Sequence, residues 1–201
     1  MRLLTKAELR AAYARDLQEA FPPSELKPLR SMEELMEEGL YDPWVMENEA
    51  GEKIGYLLLW KRRGGRYFLI DYLCVPARLR GCGIGANLLR EVFARYGSDA
   101  VFIAESEAPT GDDETDGMIR RRLGFYQRNG AAILGYDTAL FGVHFKTICW
   151  CKGELPREDE ILRHHREIYL DRFGAERFAR YIQIPLQPGE KPFPVTDWVE
   201  E

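Results

Sequence analysis

The sequence predicts an α/β fold: a mixed, mostly antiparallel sheet of six or seven strands with one central parallel pair, helices on both faces, and a C-terminal helical appendage. Three observations carry this expectation. Tyr67 to Tyr96 reads as strand, glycine turn and helix. A second apolar run, Ala100 to Ala104, follows that helix, and a strand–helix–strand crossover is right-handed with its strands parallel. The remaining apolar runs are joined by short turns, which impose antiparallel pairing.

Taken in order, Thr5 with Glu8 forms a capping-box pattern, and Leu9, Tyr13, Leu17, Ala20 and Phe21 continue a helical stripe until Pro22-Pro23. A first helix is expected over about Lys6 to Ala20. Ser31 with Glu34 repeats the cap signal, and Gly39 stands where a left-handed terminator belongs, so a short second helix lies between. Trp44 to Glu49 and Ile54 to Lys61 flank Ala50-Gly51-Glu52 as a hairpin, and Arg63-Gly64-Gly65 turns the chain into a third antiparallel strand. That strand, Tyr67 to Val75, is apolar except for Asp71 and is stopped by Pro76. From Ile84 the apolar positions Leu88, Leu89, Val92, Phe93 and Tyr96 mark one face of a helix.

Beyond Ala104, the segment Gly111 to Gly117 is acidic and loop-like, a helix is expected from about Asp116 to Gln127, and strands over Ala131–Tyr136 and Phe145–Cys151. Pro156 opens a helix with the stripe Ile161, Leu162, His165, Ile168 and Tyr169, stopped by Gly174. Phe178, Tyr181 and Ile182 mark a shorter helix. From Pro185 a proline-rich tail is expected to be irregular, with Phe193 and Trp198 docking. The division expected is a main domain over 1–151 and an appendage with tail over 152–201, packed on that domain.

With 28 basic and 33 acidic residues the net charge is -5, which disfavours general nucleic-acid or anionic-membrane binding. No run approaches the roughly 18–20 apolar residues of a membrane helix, and Met1-Arg2-Leu3-Leu4 leads into a charged helix rather than a signal sequence. The expected location is cytoplasmic. Cys74, Cys82, Cys149 and Cys151 show neither metal spacing nor a disulfide framework and read as reduced thiols.

Between strand and helix lies Arg80-Gly81-Cys82-Gly83-Ile84-Gly85. Three glycines within five positions weaken a helix, so their use is close backbone approach to a ligand, and at a helix N-terminus that ligand is an anion such as phosphate. A dinucleotide reading competes, because Gly81-x-Gly83-x-x-Ala86 fits the Rossmann fingerprint and Glu105 follows about 20 residues later. Against it, Pro76 to Arg80 separate strand from glycines, and only one crossover unit exists. No GK[ST] follows, which excludes a P-loop.

The Arg-x-x-Gly-x-Gly pattern, opening a helix after a strand-Pro segment, resembles the acyl-CoA signature of the GNAT superfamily of N-acetyltransferases. The element order over about Met1 to Cys151, including Phe125-Tyr126-Gln127-Arg128-Asn129-Gly130, is similar to that fold. The resemblance implies an acetyl-CoA cosubstrate bound at Gly81, Cys82, Gly83, Ile84, Gly85 and Ala86, the amides from Cys82 to Ala86 holding its pyrophosphate with Arg80 adding charge. It implies pantetheine along Leu73, Cys74 and Val75, with an amide at Cys74 or Val75 polarising the thioester. An ammonium must lose a proton before attacking, and Glu105 at the end of the parallel strand is the expected general base, directly or through water, with Glu107 as second candidate. The competing reading is two strand-end glutamates that meet solvent. Tyr126 matches the family's tyrosine and is the expected acid toward the thiolate, against a plain core tyrosine. Gly117 and Met118 stand where members often carry asparagine, so that turn implies no side-chain contact to CoA.

Asp112, Asp113, Glu114, Thr115 and Asp116, with Glu105 and Glu107, suggest a cationic acceptor: a polyamine, an aminoglycoside-like sugar or a lysine. The competing reading is a solvated acidic loop. The start of an EF-hand is imitated by Asp112, Glu114, Asp116 and Gly117, but Leu123 at the twelfth position rejects calcium. Arg120-Arg121-Arg122 is expected to answer the acidic loop, and His144 in a loop and His164-His165 on the appendage helix lack ligand spacing. Cys82 reads as a small residue in the anion turn. A CoA-liganded sensor without turnover is the alternative from another class. The appendage has three readings: covering the acceptor, closing a homodimer, or lengthening the core.

Overall fold

In the computed structural model, residues 1–23 and 25–194 are described, and the expectation for Trp198 lies outside them. The chain forms two compact units, Met1–Gly97 and Ser98–Thr196. Each holds four strands.

The first unit runs β1 (Arg2–Leu3), α1 (Lys6–Ala12), a π-helical stretch at Tyr13–Leu17, α2 (Gln18–Ala20), α3 (Leu29–Glu37), β2 (Tyr41–Glu47), β3 (Lys53–Lys61), β4 (Tyr67–Cys74) and α4 (Ile84–Phe93). The Thr5 hydroxyl and Glu8 carboxylate cap each other's amides as the pattern predicted, a motif that contributes about 1 kcal/mol. Ser31 is not a cap: α3 begins at Leu29 after Pro28, whose fixed φ needs no side-chain bond to start a helix. Gly39 closes that helix at φ 71°.

Strands β1 to β4 pair in sequence order, all antiparallel, with Val45 opposite Tyr56 and Tyr56 opposite Cys74. Leu57, Leu58, Leu59 and Leu69 are fully buried. Gly55 sits beneath α4: a Cβ there would stand 2.7 Å from Leu88 Cδ1 and 3.1 Å from Ile84 Cγ2, so a larger residue would have to displace the tips of side chains on that helix. Tyr56, one residue on, points to the other face and donates to Asp16 of the π-helical stretch at 2.5 Å. Helices therefore cover both faces of this sheet.

The second unit runs β5 (Val101–Glu107), α5 (Asp113–Arg128), β6 (Ala132–Leu140), β7 (Val143–Cys151), α6 (Glu158–Tyr181) and β8 (Ile182–Leu186), with strand order β5-β7-β6-β8, again antiparallel. Glu105 pairs with Thr147 and Phe102 with Trp150 in one unbroken register, so those two pairs lie on opposite faces. The contacts follow: Tyr126 of α5 meets Trp150, and His165 of α6 meets Glu105. Gly174, at φ 70° and ψ 167°, breaks α6 where the sequence placed a stop.

The α/β class and the mostly antiparallel pairing are as expected, with corrections at the edges. The structure has eight strands among its described residues rather than six or seven. The additions, β1 and β8, are short edge strands; Arg2 and Leu3 form too brief a run for periodicity to register. Ile182 starts β8 instead of belonging to a helix, and Pro185 lies within that strand, where an edge position tolerates the missing amide. Acidic residues 113–116 form the first turn of α5 rather than a loop, because Asp112 accepts from the Thr115 amide as N-cap. His144 lies in β7 rather than a loop. Phe193 is anchored by its amide to Gln183 Oε1, while its ring is exposed.

Candidate active site

In the first unit the chain leaves β4 at Cys74, passes Pro76 and a short 3-10 turn at Ala77–Leu79, and reaches Arg80 in extended conformation. Gly81 then takes φ 82° and Gly83 φ 77°, and Gly83 is the N-cap of α4. An L-residue in this left-handed region costs roughly 1–2 kcal/mol. A Cβ at either glycine would meet nothing within 4 Å, so the glycines answer to backbone conformation and not to crowding. Two such residues flank Cys82 and lead into the first amides of α4, which have no partner within the helix and are chemically suited to an anion.

Arg80 donates through Nε to the Val75 carbonyl at 3.1 Å, which ties the turn to the strand end and leaves the residue exposed. Ile84, Gly85 and Ala86 form the first turn of α4, half-buried. Leu73 and Cys74 are paired with Leu57 and Tyr56, and Val75 lies one residue past the strand. Burial pushes the Cys74 thiol up to about 12, with the Asp16 carboxylate adding to the effect, so this is no nucleophile. Cys82 is exposed in the turn.

Asp71, the polar interruption of β4, has a structural partner. Its carboxylate takes the Lys27 ammonium at 2.9 and 3.0 Å and the Tyr41 hydroxyl at 2.5 Å, and the ammonium lies 3.9 Å from the centre of the Trp60 ring. Lys27 is 1% exposed. A buried charge of that kind persists only when paired.

Glu105 is the centre of the second unit's polar chemistry. Its Oε1 lies 2.9 Å from His165 Nε2 and its Oε2 accepts from the Tyr169 hydroxyl at 2.7 Å. His165 Nδ1 in turn lies 3.1 Å from the Tyr136 hydroxyl. Glu105 sits inside β5 rather than at its end, and its side chain keeps 11% of its surface while His165 has none. Burial, with the Glu105 charge adding, raises the Tyr136 phenol well above its ordinary value, so it stays protonated.

The other predicted residues divide. Glu107 is two residues from Glu105 on the same face but is claimed by Arg122 at 2.7 Å. Tyr126 is half-buried, edge-on to Trp150, its phenol raised by burial; it lies on the sheet face opposite Glu105. Asp116 leaves the acidic cluster: it is buried, accepts from the Thr110 and Gly111 amides at 2.7 and 3.1 Å, and pairs with Arg120. Asp112 and Asp113 remain exposed, and nothing is described of the Glu114 side chain. His164 pairs with Glu167, and His144 with Asp137.

Sequence reasoning missed Tyr136, His165 and Tyr169 as neighbours of Glu105. The available signal was a histidine and a tyrosine at i and i+4 on the otherwise apolar stripe of α6, since buried polar side chains have partners.

The GNAT acetyltransferase family model matches residues 6–125, over half of the chain and including both the glycine turn and Glu105. The chain belongs to the GNAT acetyltransferase family. Among curated proteins, "Putative acetyltransferase YjbC" of Bacillus subtilis (strain 168) is 28% identical over 159 residues, covering 76% of this chain and 77% of that one. A solved structure described as "Putative acetyltransferase from GNAT family" from Bacteroides thetaiotaomicron superimposes with a TM-score of 0.67 at 18% identity, over 87% of this chain and 98% of that one. The dodecameric spermidine N-acetyltransferase of Vibrio cholerae gives 0.52 at 13% identity, over 75% and 92%. These two likenesses establish that the GNAT fold is shared. No helix among the described residues is long and apolar enough to cross a membrane.

Proposed function

We propose that the protein is an acyl-CoA-dependent N-acetyltransferase that moves an acetyl group from acetyl-CoA to a primary amine by direct attack in a ternary complex. The observation that carries the reading is the pair of left-handed glycines, Gly81 and Gly83, at the start of α4, inside the segment that matches the family. In this reading the amides from Cys82 to Ala86 hold the CoA pyrophosphate, with Arg80 supplying charge. Pantetheine lies along Leu73, Cys74 and Val75, and an amide at Cys74 or Val75 polarises the thioester carbonyl.

An alkyl ammonium has a pKa of about 10 and no lone pair, so its proton must go first. Glu105 takes it, directly or through a water, as the nitrogen–carbon bond forms. The carbon–sulfur bond then breaks as the nitrogen gives up its second proton to solvent, and the thiolate receives a proton from Tyr126, which burial keeps protonated and which solvent reprotonates after turnover. Glu107, neutralised by Arg122, is the weaker candidate for base.

The acceptor in this reading is a cationic small molecule or a lysine side chain. The spermidine acetyltransferase among the structural neighbours supports a small polyamine, and the exposed Asp112 and Asp113 are the carboxylates left to attract it. Self-association, as in that dodecamer, belongs to the same proposal. The chain acts in the cytoplasm, where acetyl-CoA is available. The test is thiol release from acetyl-CoA with spermidine, a sugar amine and a lysine peptide. Amine-dependent release supports the reading. Stabilisation by CoA without release would favour a sensor, and stabilisation by NAD but not CoA would overturn the cofactor assignment.

A further inference from the structure

The C-terminal helix α6 lies outside the segment matched by the family, yet it supplies both donors to Glu105. We propose that His165 and Tyr169 are positioning residues that hold the Glu105 carboxylate in a single orientation, with Tyr136 fixing the His165 ring, so that α6 is part of the proton-accepting machinery. This rests on the reading of Glu105 as base.

The assignment of roles follows from exposure. His165 is completely buried and touches no solvent, whereas the Glu105 side chain is 11% exposed. A substrate ammonium therefore meets the carboxylate and not the imidazole. A histidine–carboxylate pair with the carboxylate outward is the reverse of an arrangement in which the histidine reacts and the carboxylate steadies it. Here the imidazole does the steadying.

The tautomer follows from the partners. An ionised Glu105 accepts only, so His165 presents Nε2–H to Oε1. In the neutral ring Nδ1 is then the acceptor, and Tyr136, kept protonated by its raised pKa, donates to it. Tyr169 donates to Oε2. Both oxygens are thus held in line, and each keeps a further lone pair for the incoming proton. When the ammonium N–H bond breaks, the proton forms an O–H bond on Glu105 and the nitrogen keeps the electron pair for attack.

The other groups facing this carboxylate do not supply the effect. Thr147 stands opposite it on β7 and does not titrate at these pH values. Glu107 on β5 is neutralised by Arg122 of α5. On β6, Tyr136 also feels Cys149 and Glu158, and both raise it further. His164 on α6 pairs with Glu167. Removing either donor frees the carboxylate to turn away from the incoming ammonium, so the loss falls on kcat and not on acetyl-CoA binding.

The test measures kcat and KM with acetyl-CoA and whichever panel amine is turned over fastest, for Glu105→Gln, His165→Ala, His165→Gln and Tyr169→Phe. Expected for His165→Ala is a kcat lowered at least tenfold with an acetyl-CoA KM within twofold of wild type. His165→Gln, whose amide still donates, falls between that variant and wild type. Tyr169→Phe shifts the same way, by less. Where His165→Ala fails to fold, the other two decide. Variants that melt like wild type and keep its kcat, or that lose kcat only together with a raised acetyl-CoA KM, overturn the proposal. A Glu105→Gln enzyme with wild-type kcat sinks the base reading itself, whereas its collapse beside unshifted His165→Gln and Tyr169→Phe sinks only the role of α6.

Discussion

Two acidic residues on strands illustrate how differently one side-chain type is used. Asp71 interrupts β4 because its carboxylate neutralises a lysine that has almost no access to water. Replacing Asp71 with Asn leaves that ammonium without a counter-charge and should destabilise the protein by about 3–5 kcal/mol in urea unfolding. A loss below about 1 kcal/mol would mean that Lys27 escapes to solvent. Glu105 is instead held by two donors with part of its surface open, and Glu105→Gln should lower kcat by a factor of about 10²–10⁴ with little change in melting temperature. From sequence Asp71 is a lone acid inside an apolar run and Glu105 an acid where such a run ends, and neither position reveals its partner. The partners that separate them, Lys27 and His165, lie 44 and 60 residues away, beyond the reach of any local pattern.

The glycine turn was the most legible element, because both its conformational demand and its helix stripe are local. Gly81 and Gly83 have the positive φ values that glycine spacing implied. Gly83→Ala should cost about 1–2 kcal/mol of stability and raise the acetyl-CoA KM at least tenfold, read by thermal melts and steady-state kinetics. Thiol labelling checks the same turn without turnover. At pH 8 iodoacetamide should modify exposed Cys82 first, and CoA should slow it. Cys74 and Cys149, buried and each pushed up to about 12, should resist until unfolding. Labelling of Cys82 at the same rate with saturating CoA would remove the turn from the binding site. Less legible were α5 and β8. The first acidic residues of α5 read as loop because an N-cap and an acidic tract share a composition, and β8 was hidden by Pro185, a residue that only an edge strand accepts.

At the scale of the molecule, sequence alone left α6 an appendage with three possible uses, while in the structure its residues complete the hydrogen-bonding of Glu105. Acid stability follows from both units. Burial alone would raise Asp16, but hydrogen bonds from Arg15 and Tyr56 outweigh it and hold the carboxyl below its ordinary value; Thr115 holds Asp112 down, and the Thr110 amide does the same for Asp116. Folded-state values below unfolded ones mean a stabilisation present above pH of about 4 and lost as pH falls through the folded values. The urea midpoint should therefore drop below about pH 4, and Asp16→Asn should flatten that drop. The central claim, amine acetylation with Glu105 as base, is tested most directly by following free thiol from acetyl-CoA with the amine panel, wild type beside Glu105→Gln. The account predicts amine-dependent release that Glu105→Gln abolishes; a wild type that binds CoA yet releases no thiol with any amine, or a Glu105→Gln enzyme that releases it at the wild-type rate, would contradict it.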